Sequence, residues 1–168
     1  PSITELVFAK TDTVNVDKAE LKKLLDNKED TSSWTTDSKQ AYDAAIAAGQ
    51  KVYDSEHASK GSVDSAVLEI KNAVADKELK GDMSKLQAAL DKALKDSENY
   101  TARTWRVYSN AVSAIETAME NADNTSVADV EKLLADLEAA KSALVYNPSA
   151  MEECMLAVQA ENDFINAT

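Results

Sequence analysis

Residues 100–108 read Tyr100-Thr101-Ala102-Arg103-Thr104-Trp105-Arg106-Val107-Tyr108, and they combine a helix start signal with the first turns of an apolar stripe. Thr101 suits the N-cap, because its hydroxyl can accept a hydrogen bond from a first-turn N–H near Thr104. Tyr100 and Trp105 then occupy the two positions that contact each other in a hydrophobic staple. The stripe continues on one helix face at spacings of three and four, through Tyr108, Val112, Ile115 and Met119.

A weaker copy of this segment lies at residues 34–42. Trp34 aligns with Tyr100, Thr35 with Thr101, Ser38 with Thr104 and Tyr42 with Tyr108, whereas Lys39 replaces Trp105. The upstream helices align Leu21, Leu24 and Leu25 with Leu86, Ala89 and Leu90. The downstream helices align Val63, Ala66, Ile70, Ala73 and Lys77 with Val127, Val130, Leu134, Leu137 and Lys141. Three amphipathic helices therefore occur twice, at a period of about 65 residues.

The predicted fold class is all-α, with two tandem three-helix bundles, an extended, strand-like N-terminal lead-in and an additional C-terminal helix. The predicted boundaries are 1–16 for a lead-in from a preceding domain, 17–80 and 81–147 for the two repeats, and 148–168 for the C-terminal helix. Asp17 with Glu20 resembles a capping box for the first helix, and Ser62 is the expected cap of the third. Ser149 with Glu152 is a further capping box, which predicts a helix that contains Met151, Cys154, Met155 and Val158. We interpret this helix as the start of a truncated third repeat.

The junction between the repeats contains Gly81 followed by Asp82. Glycine favours the left-handed position after a helix, and aspartate is a good N-cap. We therefore expect the helices on either side to be separate, rather than fused into one helix from Ser62 to about Asp96.

Composition and charge exclude several classes of protein. The chain has 168 residues, of which 44% are hydrophobic and 29% charged, and its few glycines and prolines argue against a many-stranded β fold. The net charge of −12 repels phosphate groups, so neither nucleic acid nor an anionic membrane is an expected partner. No apolar run approaches the length of a membrane span, which needs about 18 residues.

The residues that could carry chemistry do not form a constellation. His57 is the only histidine and lies in a predicted turn. Cys154 is the only cysteine and is interpreted as an interior or interface residue. Residues 121–124 resemble a calcium loop weakly, without its glycine or terminal glutamate. We therefore expect no catalysis, no cofactor and no metal.

The tandem pattern resembles the FIVAR ("found in various architectures") repeat. The second copy carries the resemblance in Tyr100-Thr-x-x-Thr-Trp105-x-x-Tyr108, followed by the spacing of Val127, Val130, Leu134 and Leu137. The resemblance implies small three-helix modules, often in tandem, in secreted or wall-attached proteins of Gram-positive bacteria, including multimodular glycoside hydrolases and adhesins. It also implies a non-catalytic role, either as a spacer or in carbohydrate binding and adhesion.

Two functions follow as expectations. The first is a helical spacer or stalk whose partners are other modules of the same polypeptide. The alternative is a module that binds a host glycan or protein, for which the candidate ligand residues are Tyr146, Trp105 and Tyr100. Most aromatic residues fall on a core stripe or a staple position, so burial is the simpler interpretation, and Tyr146 is the one the repeat explains least. A dimer through the C-terminal helix is a further expectation.

Overall fold

The structure is a computed structural model that describes residues 15–148 and 158–162. The chain divides into two compact units, residues 1–79 (unit 1) and 80–168 (unit 2). The regular elements of the described residues are helical, and three isolated bridges are the extended pairings among them. The all-α prediction is confirmed.

Unit 1 is a bundle of α1 (Ala19–Asp26), α2 (Thr36–Asp54) and α3 (Lys60–Ala75). Each helix contacts the other two. Gly49 marks the point of closest packing, because a Cβ there would lie 3.0 Å from the Ile70 side chain and 3.3 Å from that of Leu21. The buried core consists of Leu21, Leu25, Trp34, Tyr42, Ala45, Ile46, Val63, Ala66, Val67 and Ile70.

Unit 2 repeats this arrangement with α4 (Met83–Asp91), α5 (Ala102–Glu120) and α6 (Val127–Ser142), joined by short 3-10 turns at Ser97–Asn99 and Ala122–Asn124. Again each helix contacts the other two. The fully buried residues of its core cluster are Leu86, Ile115 and Val130, surrounded by partly buried Met83, Ala89, Leu90, Ala118, Met119, Leu133, Leu134 and Leu137.

Helix caps define which residues of the two units are equivalent. Thr35 and Thr101 cap α2 and α5, as predicted. The predicted cap of α3 is wrong, because Ser59 rather than Ser62 accepts the first-turn N–H, which comes from Ser62 itself. Ser59 therefore corresponds to Ser126, the cap of α6.

The alignment of the third helices is consequently wrong by three residues. The equivalent of Val63 is Val130, since both are 3% exposed, whereas Val127 is 46% exposed. A slip of three residues is close to one helical turn, so the apolar stripe still matches. Periodicity alone does not distinguish the two registers.

The residues after each third helix turn back to the start of the second. The Thr35 N–H donates to the Glu78 carbonyl (2.9 Å), and Trp34 forms a bridge with Leu79. In unit 2 the Thr101 N–H donates to the Val145 carbonyl (2.8 Å), and Tyr100 forms a bridge with Tyr146. The third helices end at Ala75 and Ser142, and the tails that follow them place residues 79 and 146 beside Trp34 and Tyr100.

A tyrosine in each second helix fixes the loop that precedes it. The hydroxyl of Tyr42 accepts the Glu29 N–H at 2.9 Å, and that of Tyr108 accepts the Leu94 N–H at 2.8 Å. Both tyrosines are buried. These hydrogen bonds satisfy backbone groups in loops that have no helical partner.

The junction is broken, as expected, but not by the predicted mechanism. α3 ends at Ala75 and α4 begins at Met83, with Asp82 as its N-cap. Gly81 is not left-handed, because no described glycine has a positive φ. Its N–H donates to the Thr125 carbonyl at 2.8 Å. A Cβ at this position would lie 2.7 Å from the Ser126 carbonyl oxygen and 2.3 Å from Val130, so close approach is what requires glycine here.

The two capping boxes predicted at Asp17 and Ser149 are not seen in the described residues. α1 begins at Ala19, whose N–H the Asp17 carboxylate accepts at 2.9 Å, and Glu20 forms an ion pair with Lys71 rather than closing a capping box. The predicted Ser149 box lies outside the described residues, as do Met151, Cys154, Met155 and most of the lead-in. Residues 158–162 are helical and exposed.

Candidate functional site

Four aromatic side chains of unit 2 form a continuous row. Tyr100 stacks on Tyr146 at 5.2 Å between ring centroids, with 22° between the ring planes. It also stacks on Trp105 at 5.8 Å and 16°. Trp105 in turn lies 5.3 Å from Tyr108, with the rings tilted by 44°. Offset and tilted pairs at these distances are the arrangements that aromatic quadrupoles favour. The three residues predicted as ligand contacts are therefore adjacent in space.

Exposure increases along the row. Tyr108 is 2% exposed and anchors it in the bundle, Trp105 and Tyr100 are half-buried, and Tyr146 is 56% exposed. The Tyr100–Trp105 contact agrees with the predicted staple, but burial does not account for the outer rings. Stacked rings of which a substantial part faces solvent are the discriminating feature that the sequence alone does not reveal.

A shallow depression of about 500 Å³ lies beside these rings. Its floor is formed by Tyr100 and Trp105 on either side of the α5 N-cap. The remaining lining residues are mostly polar and come from the Ser97–Asn99 turn, α5 and the tail: Ser97, Glu98, Ala102, Arg106, Ser109 and Asn147. The tail is held in place by the Asn147 N–H, which donates to the Asn99 carbonyl at 2.8 Å. An apolar floor with a polar rim suits a ligand that has both kinds of surface.

The environment of Tyr100 favours its neutral form. Desolvation raises the pKa of the Tyr100 hydroxyl above its ordinary value, and interactions with Tyr146, including a hydrogen bond, raise it further.

Two arginines, Arg103 and Arg106, lie on either side of Trp105 in the sequence, and neither was predicted as a site residue. Arg106 lines the depression, and Arg103 is exposed nearby on the same helix. The signal was available in the composition, because these are the only arginines of the chain.

The equivalent position in unit 1 is closed. Trp34, the counterpart of Tyr100, is 3% exposed and packs edge-on against Tyr42 at 5.3 Å. The Lys77 ammonium covers its ring at 5.4 Å from the centroid. Leu79 replaces Tyr146, and Lys39, at the position of Trp105, pairs with Asp43. Unit 1 thus shares the scaffold of unit 2 without its exposed rings.

The remaining cleft and the single histidine do not form a comparable binding site in the described residues. A cleft of about 520 Å³ in unit 1 is lined by Val16, Glu20, Lys60 and Val63, among others, and contains no aromatic side chain. His57 is exposed in a turn. Within residues 15–148 and 158–162, no group of three or more histidine, cysteine or carboxylate side chains could hold a metal ion. No helix in that part of the chain has the length and apolarity needed to cross a membrane.

Comparison with known proteins identifies the repeats. The FIVAR domain matches the chain twice, at residues 17–78 and 82–145. The polysaccharide lyase 8 family protein HylA of Enterococcus faecalis is 29% identical over 149 residues, which cover 84% of this chain and 11% of that protein. The chain therefore spans only a small part of the length of this relative. No solved structure matches the chain.

Proposed function

The chain belongs to the FIVAR domain family, and on that basis we propose that it is a non-catalytic module of a larger protein that a Gram-positive bacterium secretes or attaches to its cell wall. The modular part of this proposal is supported by the relative HylA, in which the matching region is 11% of the length. In this proposal, the repeats at 17–80 and 81–147 are the folded modules, and other modules of the same polypeptide are their neighbours.

Within this module, unit 2 binds carbohydrate at the depression beside Tyr100, Trp105 and Tyr146. The observation that carries this proposal is the stacked row whose outer ring is 56% exposed. The exposed part of the Tyr146 ring and the parts of Tyr100 and Trp105 that line the depression can cover apolar surface of a pyranose, and polar lining residues such as Ser97 and Ser109 can bond its hydroxyl groups.

A spacer without any ligand is the second candidate, and unit 1 favours it. Its corresponding aromatic residue is buried and covered by a lysine, so unit 1 has a packed core and no comparable surface. If unit 2 also binds nothing, the pair serves to separate the domains on either side.

A glycan-array screen followed by calorimetric titration of the full chain tests the binding proposal. Tyr146→Ala removes a largely exposed ring, so it should leave the fold intact and weaken binding about five- to ten-fold. The matched control is Leu79→Ala, which truncates the equivalent residue of unit 1 and should leave the affinity unchanged. If no glycan is bound, or if the two variants weaken binding equally, the carbohydrate site is excluded and the spacer function remains.

A further inference from the structure

The arginines of this acidic chain are concentrated next to Trp105. The net charge is −12, and the two arginines are both neighbours of Trp105, whereas all other cationic side chains except His57 are lysines. Guanidinium groups differ from ammonium groups in that they can donate two parallel N–H bonds to a carboxylate or sulfate. Of the two, Arg106 lines the depression together with the oppositely charged Glu98, so its role there needs an explanation.

Neither arginine is used to stabilise the bundle. Six lysines of the described residues are held in ion pairs, including Lys39 with Asp43 and Lys132 with Asp136. Within the same residues, Arg103 and Arg106 have neither an ion-pair partner nor a hydrogen bond from the side chain. Arg106 lines the depression together with Tyr100 and Trp105. Its guanidinium is thus available to a ligand that lies on those rings.

We propose that the depression binds an acidic pyranose, which contacts the lining parts of Trp105 and Tyr100 while Arg106 holds its carboxylate. This inference rests on the proposed carbohydrate-binding function and names the class of ligand. A hexuronate carries a carboxylate on the carbon where a neutral hexose has a hydroxymethyl group. The sugar ring can therefore keep its contact with the aromatic side chains while the carboxylate reaches Arg106. A sulfate ester is also an anion that a guanidinium can bind, and a sulfated sugar in the experiment below distinguishes it from a carboxylate.

Unit 1 lacks this charge as well as the exposed rings. The caps Thr35 and Thr101 align α2 with α5, which places Gln40 at the position of Arg106 and Asp37 at that of Arg103. We therefore expect the acidic ligand at unit 2 only.

Glu98 and Arg106 carry opposite charges, so removing each charge should change the affinity for an acidic sugar in opposite directions. Glu98 lines the same depression from the Ser97–Asn99 turn, and its carboxylate opposes an anionic ligand. Removing this charge should strengthen binding of an acidic sugar, while removing the charge of Arg106 should weaken it.

Calorimetric titration of the full chain with two tetrasaccharides tests the inference. The pair is cellotetraose and its C6-oxidised form, which differ only in whether a hydroxymethyl or a carboxylate is present. The oxidised form should bind about ten-fold more tightly, and Arg106→Gln should remove that preference while changing the affinity for cellotetraose less than about two-fold. The control Lys85→Gln makes the same change in charge on α4 and should preserve the preference.

One more variant and two more ligands distinguish binding of a uronate from binding of a sulfated sugar and from simple charge attraction. Glu98→Gln should raise the affinity for the oxidised form about two- to five-fold. Cellotetraose sulfated at C6 tests whether a sulfate replaces the carboxylate, and equal or tighter binding of that sugar would overturn the assignment to a uronate. Equal binding of both original sugars would overturn the acidic preference and leave carbohydrate binding intact. Binding of poly-glutamate as tight as the acidic sugar would reduce the site to simple charge attraction, and the absence of any binding would exclude both proposals.

Discussion

At the scale of single residues, the two tryptophans occupy different positions of the repeat, since Trp34 aligns with Tyr100 and Trp105 with Lys39, and they have different environments. Trp34 is 3% exposed in the core of unit 1, whereas Trp105 is half-buried on the surface row of unit 2. Loss of a buried tryptophan removes its burial and leaves a cavity, while loss of a half-buried one exposes its neighbours to solvent instead.

Truncation of each tryptophan should therefore have unequal effects on stability. Trp34→Ala should lower the free energy of unfolding of unit 1 by about 3–5 kcal/mol, and Trp105→Ala should cost unit 2 about 1–2 kcal/mol. Lys39→Ala serves as the control, because its exposed ion pair with Asp43 contributes less than about 1 kcal/mol. Urea unfolding curves provide the measurement, and an equal cost for the two tryptophans would refute this difference in burial.

The two buried tyrosine hydroxyls should matter equally in both units. Tyr42→Phe and Tyr108→Phe each leave the N–H of a loop residue, Glu29 or Leu94, without its partner. The expected cost is about 1–2 kcal/mol each in denaturant unfolding. Tyr53→Phe is the matched control, because its hydroxyl has no hydrogen bond among the described residues. A comparable loss in this control would mean that the two loop bonds contribute nothing specific.

At the scale of helices, local chemistry was predictable and tertiary contacts were not. The caps Thr35 and Thr101 could be predicted because a hydroxyl at the right spacing acts within one turn. Ser59 and Ser62 both satisfy that requirement, so the choice between them depended on packing. The tail bridges at Leu79 and Tyr146 have no periodic pattern, and for that reason the sequence did not place Tyr146 against Tyr100.

The roles of two glycines also depend on tertiary contacts, and replacing each by alanine should change the free energy of unfolding in opposite directions. Gly61 lies in the first turn of α3, where a Cβ would meet nothing closer than 3.9 Å, so Gly61→Ala should stabilise unit 1 by up to about 1 kcal/mol. Gly81→Ala forces a Cβ against the Ser126 carbonyl and Val130, and should destabilise unit 2 by about 1–3 kcal/mol. Thermal unfolding distinguishes the two signs. Stabilisation by Gly81→Ala would contradict the close approach at this junction.

At the scale of the whole chain, the two units have unequal cores. Ten hydrophobic residues are buried in unit 1, whereas five are buried in unit 2 among the described residues, namely Leu86, Tyr108, Ile115, Val130 and Ala140. Hydrophobic burial is the main favourable term in folding, and domains of this size have little to spare. The smaller buried core of unit 2 is consistent with aromatic rings placed at its surface.

We therefore expect unfolding in two transitions, with unit 2 unfolding first. Each unit contains one tryptophan, so Trp34→Phe and Trp105→Phe variants report fluorescence from one unit at a time. The Trp105 signal should change at a lower urea concentration than the Trp34 signal. Coincident transitions would show that the units unfold as one cooperative body.

The two units share one scaffold but differ in the solvent exposure of their aromatic rings. Solvent exposure of the two indole N–H signals in the unmodified chain tests this most directly, measured by NMR with a neutral, soluble paramagnetic probe. Trp105 should broaden strongly as the probe is added, because its ring borders the depression, and Trp34 should remain sharp at 3% exposure. Equal broadening of the two signals, or protection of Trp105, would contradict the account.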